Sequence, residues 1–314
     1  MAEHHLAASP ATTRWGRFSA AYPPVLTVQS GDAVTLECVS GGPDMLPPAE
    51  LGYTISPALP AIHAANPGHA LGGHILTGPV AVHGAEPGDL LQVDIERIEL
   101  GADWGFCGFR PLVGTLPEDF PHAFLSHIAI DRALCRARLP WGTELALAPF
   151  FGVMGVAPPA AYGAISTKEP REHGGNLDNK ELGAGSTLFL PVWTPGALFS
   201  AGDGHGVQGD GEVCINALET ALTGTFRLTL HKASRVRFPR AESPAHFITM
   251  GLNEDLDLAM KQALREMIGL ICERTKLSRD QAYQICSLAV DFHVTQTVNG
   301  EKGVHGMLRR GLLF

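Results

Sequence analysis

The sequence contains no CxxC pair: its six cysteines, Cys38, Cys107, Cys135, Cys214, Cys272 and Cys286, are scattered along 314 residues. That spacing argues against a disulfide framework and a structural zinc knuckle, and fits reduced thiols in a cytoplasmic protein. No uninterrupted apolar run approaches the roughly 20 residues of a membrane helix. The start, MAEHHLAASPATTRWGRF, lacks the basic-then-apolar order of a secretory signal. Basic charge is also short. Lys and Arg number 23 against 32 Asp and Glu, a balance of −9, which argues against a nucleic-acid or anionic-membrane partner. No phosphate-loop motif occurs. With 45% hydrophobic and 18% charged residues, the chain is still an ordinary folding sequence, long enough to bury a large core.

Glycine (36) and proline (23) are plentiful, as in a chain of many short strands. VLTVQSGDAVTLECV reads as two strands about Ser30-Gly31-Asp32, with Leu26 and Val28 before the turn and Val34, Leu36 and Cys38 after it. GPVAVHGAEPGDLLQVDIERIEL repeats the design about Glu86-Pro87-Gly88-Asp89. TLFLPVW and TFRLTLH are further strands, the second alternating Phe226, Leu228 and Leu230. Helix enters late. Asn253 is the expected N-cap of a helix bearing Leu256, Met260, Leu264, Met267, Ile268 and Ile271 at helical spacing. Ser278 and Gln281 make a capping-box pattern before Ala282, Ile285, Leu288 and Ala289. The expected fold is mainly β with a smaller α+β part: a β-sandwich or barrel-like core with a C-terminal helical pair. It forms a single unit over 1–314, divisible into an N-terminal β part, 1–150, and a remainder, 151–314.

The stretch GALFSAGDGHGVQGDGEV places Asp203, His205, Gln208, Asp210 and Glu212 among glycines, directly after the apolar TLFLPVW. In an extended segment residues two apart share a face, so the Asp203 carboxylate and the His205 imidazole converge. After a turn near Gly206, Gln208, Asp210 and Glu212 can be aimed at the same place. Such a set suits a divalent cation, hard enough for calcium or manganese and adequate for zinc. A pair of Asp-Gly turns between strands explains the same residues without chemistry. Two more Gly-flanked polar clusters favour a site: HGGNLDNKELGAGS, with His173, Asn176, Asp178 and Lys180, and GGHILTGPV, with His74 beside a Thr-Gly-Pro turn.

The run GGNLDNKELGAGSTLFLPVWTPGALFSAGDGHGVQGDGEV resembles the central signature of the acetamidase/formamidase family. The likeness extends from PPVLTVQSGD through HILTGPVAVHGAEPGDLLQV and PFFGVMGVAP to CSLAVDFHVTQTVNGEKGVHGML. It implies a β-rich, cytoplasmic, homo-oligomeric hydrolase that holds a divalent metal and releases ammonia from short amides such as formamide and acetamide. Two alternatives stand beside this: hydrolysis of another linear or cyclic amide or ureido compound, and a β protein that binds a ligand through a metal without chemistry.

Amide hydrolysis needs an activated water, a polarised carbonyl and a proton for the departing ammonia. Asp203 and His205 are the first candidate ligands, for zinc or calcium, with His74 and Asp178 next. Glu212 is the candidate general base, or else a further ligand. Lys180 is a second candidate catalytic group, and Asn176 and Gln208 are candidates for orienting the amide, with an oxyanion donor worth ~3–4 kcal/mol. Glu219 is expected to orient His205 from behind, and His293, Gln296 and His305 are weaker candidates. Cys214 lies two residues from Glu212, with no basic neighbour in sequence to activate a thiol. Gly202, Gly204, Gly206, Gly209 and Gly211 are expected to bring backbone close to the metal, with Phe150, Phe151, Trp193 and Phe199 closing a small site.

Overall fold

The computed structural model describes residues 1–66 and 72–313. Strands dominate, and the described residues include the α-helices Ala58–Ala65, Leu256–Arg274 and Arg279–Ala289. The larger of two main sheets has nine strands. In spatial order they are Glu3–Leu6, Ala33–Cys38, Leu222–His231, Leu90–Leu100, Thr187–Pro191, Arg240–Glu242, His246–Asn253, Lys302–Arg309 and Val290–Gln296. The second runs Gly174–Asn176, Phe150–Gly155, Phe199–His205, Ile75–Val82, Thr13–Trp15, with Leu26–Val28 beside Ile75–Val82. Both sheets contain strands from before and from after residue 150.

The main core combines side chains of the two sheets. Leu36, Leu91 and Phe226 of the first belong to one buried cluster with Phe151 and Phe199 of the second, the ring of Phe226 lying 5.3 and 5.5 Å from those of Phe151 and Phe199. Burying these aromatic rings is a main source of stability, at roughly 25 cal/mol per Å2 of apolar surface. The three central strands of the second sheet, Phe150–Gly155, Phe199–His205 and Ile75–Val82, are buried at every residue. Such strands are covered on both faces. The polar residues within them therefore need partners.

Both expected strand–turn–strand units form their turns and strands but not hairpins. Leu26–Val28 pairs parallel with Ile75–Val82 in one sheet, while Ala33–Cys38 pairs with Glu3–Leu6 and Leu222–His231 in the other. Likewise Ile75–Val82 and Leu90–Leu100 lie in different sheets, and the turn between them is held by Asp89 accepting from the Glu86 amide. The Thr-Gly-Pro motif is no turn. It lies inside Ile75–Val82, with the Gly78–Pro79 peptide cis.

The helical pair is present with two changes. Asp255, not Asn253, caps the longer helix through the Leu258 amide, and the Asn253 side chain accepts from the Asp255 amide. Ser278 and Gln281 complete their capping box. Met267, Ile268 and Ile271 are buried against Ala282 and Cys286, but Leu288 is 82% exposed and does not belong to the packed face.

Candidate metal centre

Three segments meet at the end of the second sheet. The strand Phe199–His205 carries Asp203 and His205. The neighbouring strand Phe150–Gly155 pairs with it antiparallel, His205 opposite Phe150 and Gly202 opposite Val153, so Gly152 faces Asp203. Gly174–Asn176 pairs with the far edge of Phe150–Gly155, and the chain then turns so that the Asp178 amide donates to the Gly152 carbonyl. Asp178, Asp203 and Glu212 all have left-handed backbone, with φ of 46°, 58° and 43°, a conformation costly for residues other than glycine and often kept where function fixes a side chain. A fourth segment adds Glu219, through backbone bridges to His205 and to Phe106.

His205 Nε2 lies 3.2 Å from Asp203 Oδ2, 3.4 Å from Glu219 Oε2 and 3.9 Å from Asp178 Oδ1. Its other nitrogen, Nδ1, is 3.0 Å from Gln208 Oε1, whose amide group donates in turn to the Asp178 carbonyl at 2.8 Å. An amide oxygen only accepts, so Nδ1 carries the hydrogen and Nε2 of the neutral ring presents a lone pair to the carboxylates. Among the described residues Nε2 has no hydrogen-bond partner, nor have Asp178 Oδ1, Glu212 Oε2 and Glu219 Oε2, all buried. Two sets of ligand atoms, Asp178/Asp203/His205 and His205/Glu212/Glu219, each lie within 4.8 Å of one another. A Cβ on Gly152 would fall 2.5 Å from Asp178 Oδ1 and 2.6 Å from Asp203 Oδ2. The donor set fits a cation: lone pairs converge, unpartnered, on a space that only glycine leaves free.

The electrostatics agree. Burial, reinforced by neighbouring carboxylates, pushes Asp178 and Glu212 upward and Glu219 to about 6. Burial opposes the charge on His205, but Glu219 and Asp203 outweigh it and hold the imidazole well above its usual value. Burial likewise disfavours Asp203 ionisation, yet His74 and His205 hold it low. Four carboxylates and one imidazole cannot all be buried charged without protons or a cation to compensate.

A cavity of about 570 Å3 opens over the cluster. Its lining includes Trp15, Met45, His74, Phe106, Asn176, Asp203, Glu212, Ile215, Asn216, Glu219 and Asn299, with Arg110, Lys168 and Asp44 among its charged residues. Asn176 donates to the Lys168 carbonyl, and its own buried Oδ1 has no partner among the described residues. His74 Nε2 stands 3.7 Å from Asp203 Oδ2, with Nδ1 on the Thr167 hydroxyl. Gln208 lies behind His205, not in the cavity, and Lys180 faces Asp210 at 3.1 Å outside it. His293 also pairs with Asp210, His305 with Thr295, and Gln296 with the Glu301 carbonyl, so none of the three lines the cavity. His173 is buried edge-on to Phe18. Its pKa is lowered to about 3 by that burial.

The expectation of a site closed by bulky residues does not hold. Phe150, Phe151 and Phe199 are fully buried, and Trp193 donates to the Glu172 carbonyl; none lines the cavity. Nor do Gly202 and Gly204 open onto the cluster. A Cβ on either would strike the carbonyl of Ile75 or Thr220, so these glycines let neighbouring chain segments approach. The glycine that clears the centre is Gly152, whose place in PFFGVMG gives no such signal. Asn299, which donates to Asp178 Oδ2, comes from a C-terminal segment more than a hundred residues away. Spacing could not single it out either.

Fold and cluster together define a β-rich protein with a buried histidine–carboxylate centre beneath a cavity. The chain belongs to the Acetamidase/Formamidase family, whose sequence profile matches residues 3–168 and 159–304. It is 30% identical over 198 residues to an acetamidase of Mycolicibacterium smegmatis, covering 45% of this chain and 49% of that one. Identity to a formamidase of Methylophilus methylotrophus is 33% over 200 residues, covering 47% and 49%. The matched stretch thus spans about half the length of these relatives. The crystal structure of an acetamidase from Bacillus halodurans superposes with a TM-score of 0.84 at 31% identity, over 97% of each chain.

Proposed function

We propose that this protein hydrolyses the C–N bond of small carboxylic amides, releasing ammonia and a carboxylate, at a divalent metal held by Asp178, Asp203 and His205. The observation that carries this reading is the convergence of the bare His205 Nε2 with unpartnered carboxylate oxygens over Gly152, at the floor of a cavity. Family membership and relatives named acetamidase and formamidase support it. The imidazole donor favours zinc over calcium, which takes oxygen ligands. A metal in this place supplies Lewis acidity and lowers the pKa of water from about 15.7 towards ~7.

The chain's own groups supply the rest. Glu212, buried at the cavity wall with a free Oε2, takes the proton of the attacking water and delivers it to the leaving nitrogen. Its raised pKa suits a group that must both accept and donate. The bare Asn176 Oδ1 accepts an N–H of the substrate amide. Gln208 fixes the His205 tautomer, Asn299 steers Asp178, and Glu219 flanks the imidazole. His74 holds the outer side of Asp203, and Lys180 anchors the loop through Asp210. Water and amide thereby become ammonium and carboxylate.

The cavity volume favours, as a second reading, an amide larger than acetamide, linear or cyclic. We also propose a cytoplasmic homo-oligomer. The six free cysteines suit a reducing compartment, and the exposed Leu112, Phe120, Phe124 and Trp141 offer apolar surface for self-association. Among the described residues no helix is long and apolar enough to cross a membrane.

The test is ammonia release from formamide, acetamide and propionamide, with elemental analysis of the protein before and after chelation. Activity should follow metal content. Full activity in demonstrably metal-free protein removes the metal, and silence of the loaded protein towards every amide removes the reaction.

A further inference from the structure

The proposed hydrolysis makes no use of a thiol pair just behind the cavity wall. Cys107, on the strand Trp104–Phe109, and Cys214, in the loop that follows Glu212, have their sulfurs 3.6 Å apart. Both are half-buried and free. Both also point at one acceptor, the Asn216 carbonyl, at 3.7 and 3.5 Å. Sulfurs in van der Waals contact need only a modest shift to reach the disulfide distance of about 2.05 Å.

The surroundings make such a bond consequential. Cys214 lies between residues that face the cavity: Glu212 on one side, Ile215 and Asn216 on the other. Cys107 adjoins Phe106, which also lines it and exchanges both backbone hydrogen bonds with Glu219. The loop is held further by the Thr115 amide, which donates to the Val213 carbonyl. Drawing Cys214 towards Cys107 pulls against that tether, and Glu212 is two residues from the pulled atom.

We propose that Cys107 and Cys214 form a reversible disulfide on exposure to a hydroperoxide, and that the bond slows hydrolysis by displacing Glu212; the second half rests on the function proposed above. One sulfur attacks the peroxide, the O–O bond breaks, an alcohol or water leaves, and a sulfenic acid remains. The second sulfur attacks the first, the S–O bond breaks and water departs. Two thiols have then given two electrons to one peroxide. A dithiol reductant reverses the bond by exchange.

The experiment treats the metal-loaded protein with stoichiometric hydrogen peroxide and reads two things: peptide mapping without reduction, and amide hydrolysis before and after dithiothreitol. The expected result is a peptide pair joined through Cys107 and Cys214, a several-fold loss of kcat, and recovery of both with reductant. Cys107→Ser and Cys214→Ser should each keep the untreated rate and lose the peroxide sensitivity. Mapping needs no activity, so a protein that hydrolyses no amide still tests the bond. Absence of the joined pair overturns the proposal. Equal inactivation of Cys107→Ser, or a joined pair with an unchanged rate, overturns the control of activity.

Discussion

Gly152 faces Asp203 across two antiparallel strands so closely that a methyl group on it would lie 2.6 Å from the Asp203 carboxylate and 2.7 Å from the His205 ring. Both contacts are shorter than packed atoms tolerate, and Asp178 closes the third side at 2.5 Å. Gly152→Ala should therefore deny the cation its place before it harms the fold. Overpacking of this kind costs about 1–3 kcal/mol, which a protein of this size survives. Expected are a folded variant by circular dichroism and metal content near zero by elemental analysis. A variant that keeps full metal would place the centre elsewhere.

Glu212 and Lys180 offer a sharper comparison, because the sequence made both candidates while the geometry separates them. Glu212 is buried with a free oxygen on the cavity, and Lys180 is committed to Asp210 outside it. Glu212→Gln keeps the shape and removes the basicity, so kcat should fall about 10²–10⁴-fold. Lys180→Ala loses a partly exposed ion pair, worth ~0–1 kcal/mol, and should stay within a few-fold. Steady-state rates on one amide, at matched metal content, decide it. The opposite ranking would give the proton to lysine.

What could be read in advance follows the range of the interactions concerned. Asp203 and His205 sit two apart on one strand, and that spacing alone brought carboxylate and imidazole to 3.2 Å. The Ser278–Gln281 capping box and the Glu86–Asp89 turn are equally local, and both formed. Partners across strands have no such signature. Ser30-Gly31-Asp32 has the composition of a hairpin, yet its flanking strands enter different sheets, because the choice rests on which apolar faces the two layers must cover. Gly152 acquires its role only from what stands opposite it. Leu288 fitted a helical stripe by period, but that helix buries only the narrow Ala282–Cys286 face against its neighbour.

Removing the metal should change how stability depends on pH. In the metal-free protein burial raises Glu219 from 4.5 to about 6 and pushes Glu212 and Asp178 in the same direction. A carboxyl that binds its proton more tightly folded than unfolded loses stability as pH rises through that window. His205, raised above 6.5 by Glu219 and Asp203 against the pull of burial, adds a loss of the same sign at higher pH. Asp203, held low, acts only below 3.8, outside the window. His173 and His305, held to about 3 and about 4 by burial, act with the opposite sign below 6.5, but equally with and without metal. The melting temperature of the loaded protein should therefore exceed that of the metal-free protein by more at pH 7.5 than at pH 5. Differential scanning calorimetry on metal-free and loaded samples at both pH values measures this. Parallel pH dependences would mean that the cluster is not where the cation binds.

The substrate series turns on the cavity wall. About 570 Å3 lies above the centre, with Trp15, Met45, Phe106 and Ile215 among its lining, whereas the phenylalanines of the adjoining strands are spent in the core. A methylene that gains such apolar contact is worth ~1–3 kcal/mol in the transition state. We therefore expect kcat/KM to rise from formamide through acetamide and propionamide to butyramide, by about tenfold or more over the series. Most of the gain should appear in KM, since the added carbons touch the wall in ground and transition states alike. Replacing Phe106 with alanine, with metal content checked because Phe106 bridges to Glu219, should flatten the rise while sparing formamide. A steep fall after acetamide would mean that the cavity above the centre is not open to the longer chains. In that case the short amides, and not larger ones, are what this protein is shaped to accept.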